Sequence, residues 1–212
     1  MPVRRGVAGL VVAAALLLSV PAAGLAASRH SVDPATVSPT LNPDFAPYTC
    51  WDTGGGPICK GVDRPSYTNE VMDWFTCDGQ TIYVTGEGKA SITRWHLPDG
   101  RATKTIITIA YPGDVFSLSP TGDGPTVTIR SHMTEHYEYL EPGVRGSRVM
   151  RLTGAAFVVT SPGVGLVAHE TGWIQYAPGS EYEEVTDYRG PKDLMDNFDG
   201  FAAEVCEILT GG

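Results

Sequence analysis

The stretch Thr126–Tyr139 constrains this chain more than any other. Val127, Ile129, Met133, Tyr137 and Tyr139 fall on one side of an extended backbone. Thr126, Thr128, Arg130, His132, Thr134, His136 and Glu138 fall on the other. A period of two with one polar face is the mark of a half-buried strand. Further β-rich runs cover Thr81–Thr85, Lys89–Leu97, Arg101–Tyr111, Asp114–Ser119, Arg148–Thr160 and Gly165–Ala177. Turn residues cut them apart: Pro98-Asp99-Gly100, Pro112-Gly113, Thr121–Pro125, Pro142–Gly146 and Ser161–Val164. Proline presets φ and glycine supplies positive φ, so these are turns with a mechanism.

Short connections without crossover helices predict a sequential antiparallel meander. Gly154 and Gly172 lie inside strand runs, where glycine marks a bulge or sharp bend. Bent strands suit a curved sheet, and closure removes exposed edges. The expected fold is therefore all-β: about eight strands closed, or nearly closed, into a barrel, with a two-sheet sandwich as the alternative. Tyr182–Arg189 reads as a loop or edge strand. A short helix ends the chain, capped by Asp196 or Asp199. Its apolar stripe is Phe201, Val205, Ile208 and Leu209, and Gly211-Gly212 stop it.

The N-terminus predicts export. Arg4-Arg5 precede an apolar run from Val7 to Val20, then Pro21 and the small-residue site Gly24-Leu25-Ala26. That is the layout of a signal peptide over residues 1–26, and the run is shorter than the ~20 residues a membrane span needs. Residues 27–48 carry Pro34, Pro39, Pro43 and Pro47 and read as a flexible tail. A single domain over 49–212 follows. Removing Arg4 and Arg5 leaves 13 basic residues against 24 acidic, a net charge of about −11. Nucleic-acid binding and attraction to anionic membranes both draw on Lys and Arg, so neither is expected.

Cys50, Cys59, Cys77 and Cys206 read as two disulfides in an exported chain. Cys50 and Cys59 flank a Gly-rich turn, which leaves Cys77–Cys206 to staple the terminal helix to the start of the sheet. None of the four has zinc-site spacing.

His132-Met133-Thr134-Glu135-His136 matches H-x-x-E-H, a zinc-peptidase pattern that works only on a helix. On a strand, i and i+4 lie ~13 Å apart at ~3.3 Å per residue and cannot share one ion. The strand reading is preferred, with no metal and no cofactor. Serine hydrolysis lacks a G-x-S-x-G elbow. Gly54-Gly55-Gly56 reads as a disulfide loop rather than a phosphate loop, and the acidic residues Glu181, Glu183, Glu184 and Asp187 as a solvated edge. His169 and Glu170 point to opposite faces and form no dyad. Arg94, Arg130 and Arg151 lie in strands, where any that point inward need partners.

The leader, Cys77-Asp78-Gly79, Arg151-Leu152-Thr153-Gly154, the stretch Gly163–Gly172 and Cys206 resemble a group of small secreted β-rich proteins of high-GC Gram-positive bacteria. The use of 11 Arg against 4 Lys agrees with GC-rich coding. The resemblance covers residues 50–209 and implies secretion and a disulfide-bonded β fold, with no catalytic residues to transfer. Three functions follow as expectations. The first is binding of a small apolar ligand in a barrel mouth, lined by Met133, Tyr137 and Trp173 beside the small residues Gly154, Ala156 and Gly172. The second is an extracellular or envelope interaction protein without a small ligand. The third is a barrel-type enzyme using interior polar groups.

Overall fold

A computed structural model describes residues 30–180, 182–191 and 197–211. The predicted signal peptide, residues 1–26, lies outside the described residues. Ten strands run in chain order: β1 Thr49–Asp52, β2 Pro57–Asp63, β3 Ser66–Cys77, β4 Gln80–Glu87, β5 Lys89–His96, β6 Ala102–Ser117, β7 Val127–Tyr139, β8 Arg148–Ser161, β9 Gly165–Tyr176 and β10 Val185–Arg189. A helix, α1 Phe198–Thr210, follows.

The meander holds from β5 to β10, each strand antiparallel to the next. β10 takes up the edge position anticipated for Tyr182–Arg189. Two features differ from expectation. Pro112-Gly113 does not end a strand: β6 runs through it with a register shift between Tyr111 and Asp114. And β2 pairs with β5, not β3, so the β3–β4 hairpin leaves the main path and joins the sheet through β4 and β6.

The barrel expectation is therefore wrong. The path β1-β2-β5-β6-β7-β8-β9-β10 does not close on itself. The physical cause lies in β6. Its first half pairs with β5 over Ala102–Ala110 and its second half with β4 over Val115–Ser117. One strand thus feeds two branches, and the β3–β4 branch turns over the face of β7–β9 instead of extending the sheet. Trp74 of β3 reaches Phe157 of β8 at 6.3 Å between ring centroids. The arrangement is that of a two-sheet sandwich.

α1 fills one end of the space between the layers. Asn197 caps it by accepting from the Gly200 N–H at 3.1 Å, and Gly211 ends it in the left-handed conformation. Of the predicted caps, Asp199 sits in the first turn and Asp196 lies outside the described residues. Phe201, Val205 and Leu209 are buried, with Ile208 partly so, against Met72, Ile82, Phe116, Val127 and Val159. Burying such side chains contributes about 1.5–3 kcal/mol each. Both disulfides form as paired from sequence, Cys50–Cys59 and Cys77–Cys206. The first links residues directly opposite in the β1–β2 register.

The Pro-rich segment is not a free tail where it is described. Ser31 bridges Trp51, Ser38 bridges Arg101, and Val37, Leu41 and Phe45 are buried. Residues 30–48 form a strap across the β2–β5 end of the sheet, with short 3-10 turns at Pro34–Thr36 and Pro43–Phe45. Three apolar anchors at four-residue spacing fix it there. Gly61 shows how tightly it sits: a Cβ at that position would lie 2.4 Å from the Phe45 carbonyl oxygen.

Candidate functional site

The face of the sheet turned toward β3 is a concave surface built by the alternation read in β7. Val127, Ile129, Ser131, Glu135, Tyr137 and Tyr139 are buried on it, and Met133 is half-buried. Ile109, Tyr111 and Phe116 of β6 continue it on one side, with Leu152, Ala156 and Phe157 of β8 on the other. Tyr67 and Trp74 of β3 overhang it. Together they bound a trough of about 780 Å³. Trp74 stands on its rim, 51% exposed.

Asp114 and Glu170 interrupt this apolar lining, and Glu135 is buried on the same face of β7. Glu135 and Glu170 are each 3% exposed, and Asp114 is half-buried. Tyr137 donates to Glu135 Oε2 at 2.9 Å, and Tyr182 donates to Glu135 Oε1. Tyr182 also meets Tyr176 edge-on at 5.6 Å. Burial, reinforced by the Glu135 charge, pushes the Tyr137 and Tyr182 phenols well above the usual range. Burial likewise raises Tyr176 to about 12, with Glu170 adding to it. These hydroxyls therefore stay protonated and serve as donors. At the β3 side, burial raises the Asp114 carboxyl, opposed by its hydrogen bond with Tyr67. Among the described residues no Lys or Arg lines the trough.

The residues singled out from sequence separate. Met133 lines the trough. Tyr137 stands on the same face, at the boundary with a second concavity beneath the strap. Trp173 does not join them. It points to the opposite face, with the guanidinium carbons of Arg151 and Arg189 at 5.6 and 5.9 Å from its ring. An offset of one residue along β9 decides this, since inward positions there are Ala168, Glu170, Ile174 and Tyr176. Gly154 and Gly172 pair across β8 and β9, both with positive φ, and mark the bend of these strands.

His132 and His136 lie on the outer face of β7, on an extended backbone, which keeps them apart as the strand reading requires. His169 and Glu170 face opposite sides. Of the three strand arginines, Arg130 and Arg151 are exposed and Arg94 is buried. The barrel-mouth reading is corrected with the fold. An unclosed sheet encloses no barrel cavity, and the concavity at Met133 is an open trough overhung by one hairpin.

Sequence reasoning missed Tyr67, Trp74, Asp114, Glu135 and Tyr182. Glu135 continues the inward series of Met133 and Tyr137 two residues at a time, so its position was readable. Tyr67 and Trp74 were not, because the turnover of β3 depends on the long-range β4–β6 pairing.

No family model, curated protein or solved structure matches this chain.

Proposed function

We propose that this is an exported, extracellular or envelope interaction protein that docks a polypeptide partner in the open trough. Two disulfides suit an oxidising compartment, and the N-terminal leader pattern supports export. The observation that carries the reading is the trough itself. It is a large aromatic concavity left open beside the exposed Trp74, and large exposed apolar patches mark contact surfaces.

Charge complementarity sets the partner's chemistry. The lining offers aromatic faces and the carboxylates Glu170 and Asp114. A Lys or Arg side chain flanked by apolar residues satisfies both, through ion pairing and cation–π contact. The whole chain carries a formal charge of −9, which favours encounter with basic partners.

The test is selection of a displayed random-peptide library on the oxidised protein, with parallel selection on Met133→Asp. The expected result is enrichment of peptides with Lys or Arg beside aromatic or aliphatic residues, bound by wild type and not by the variant. Enrichment of acidic peptides, or equal recovery on both proteins, defeats the reading.

A further inference from the structure

Beyond Tyr137 the inner face continues into a concavity of about 450 Å³ between the strap and strands β5 and β6. Three arginines line it: Arg94, Arg145 and Arg148. Arg94 is only 5% exposed. Its Nε–H donates to Thr105 Oγ1 at 3.2 Å, and Nη1 donates to the carbonyls of Pro39 and Thr40 at 2.9 and 3.4 Å. Among the described residues its Nη2 meets no acceptor, and Arg94 has no carboxylate partner.

This is an unusual place for a guanidinium. Arg cannot shed its charge at any ordinary pH, so burial must be offset by a counter-charge. Carbonyl oxygens satisfy hydrogen bonds without cancelling that charge. Arg148 adds a second cation from the far side of the row, with its guanidinium carbon 4.7 Å from the Tyr137 ring centroid. The register aligns Arg94 with Thr105 and Thr105 with Tyr137, so both arginines border one short row of the inner face. Arg145 stands with them in the lining of the same concavity.

We propose that this concavity is an oxyanion site whose ligand is a carboxylate on an apolar body. The carboxylate takes the Arg94 Nη2–H, the donor that Thr105 and the strap carbonyls leave unused. Leu41, Phe45, Ile92 and Ile107 supply the apolar wall. That wall selects a singly charged carboxylate over a doubly charged phosphate, whose desolvation is costlier. The site stands independently of trough docking: one is read at Arg94, the other at Met133, and either can fail alone.

Titration of the full chain with benzoate, followed at the Arg94 Nε–H resonance, tests the assignment. A saturable shift is expected, with benzamide at least tenfold weaker and inorganic phosphate also weaker. Arg94→Gln abolishes the response, and Arg148→Gln, at the rim, weakens it several-fold. A peptide ending in a free carboxylate, run beside its amide, assigns the source. Tighter binding than benzoate points to a chain-borne carboxylate, and binding of benzoate alone points to a free acid. No saturable shift, equal binding of benzamide, tighter binding of phosphate, or retention of binding in Arg94→Gln overturns the proposal. Should Arg94→Gln not fold, unchanged affinity in Arg148→Gln overturns it instead.

Discussion

Removing the Cys77–Cys206 bond tests how the helix is held. The two cysteines are 129 residues apart in sequence, against 9 for Cys50–Cys59. In the chain-entropy model a crosslink lowers the entropy of the unfolded chain in proportion to the logarithm of loop length. The long loop then contributes about 5 kcal/mol and the short one about 2.5 kcal/mol at 25 °C. Cys77→Ala/Cys206→Ala should therefore cost about twice as much as Cys50→Ala/Cys59→Ala. At ~2–4 °C per kcal/mol for a domain of this size, its Tm falls by roughly 10–20 °C. The assay is urea unfolding of both double variants, followed by tryptophan fluorescence. The short loop has a native reason to cost less: the β1–β2 ladder already holds Cys50 opposite Cys59. α1 has only its packing contacts and caps to replace its staple. Equal costs, or a larger loss from the short loop, would refute both the entropy argument and the placement of α1 as a stapled plug.

Three further outcomes follow from the packing. Gly172→Ala puts a Cβ 1.9 Å from the Arg189 carbonyl oxygen at φ +115°, so it should cost about 1–3 kcal/mol in thermal unfolding and loosen β10. Glu135→Leu removes the carboxylate that accepts from the Tyr137 and Tyr182 hydroxyls and should cost about 1–3 kcal/mol, most of it at the buried Tyr137, whereas Glu135→Gln, still an acceptor, should cost less. Asp114 has a raised folded-state pKa, so the folded chain holds its proton more tightly than the unfolded one. Stability should then fall as pH rises from the ordinary carboxyl pKa through the raised value. Asp114→Asn should flatten that dependence in denaturation curves taken from pH 3 to 7.

Much of this fold was legible because β periodicity is local. The seven runs read from sequence overlap β4–β9, two of them joined in β6, and the stripe at Phe201, Val205 and Leu209 placed α1. The disulfide pairing was legible because one pair encloses a short Gly-rich turn. Closure was not legible. It depends on which strand β2 and β4 choose, and nothing in the local pattern of Thr81–Thr85 distinguishes pairing with β5 from pairing with the far half of β6. The strap was masked by its prolines, although Val37, Leu41 and Phe45 carried the signal. Within the site, Met133 and Tyr137 followed from alternation. Trp173 failed because its size was taken as the mark of the inner face, whereas the alternation in β9 runs unbroken through Ala168, Glu170, Ile174 and Tyr176 and leaves Trp173 outside.

Methyl NMR of the protein titrated with a selected peptide shows whether the trough receives a basic, apolar segment. Ile109, Ile129 and Met133 line the trough, while Ile106 lies on the opposite face of β6. Saturable shifts are expected at the first three methyl groups with Ile106 unmoved, and loss of those shifts when the peptide's Lys or Arg is replaced by Gln. Shifts confined to Ile106 and the β10 edge, or a response indifferent to that replacement, would contradict docking in the trough.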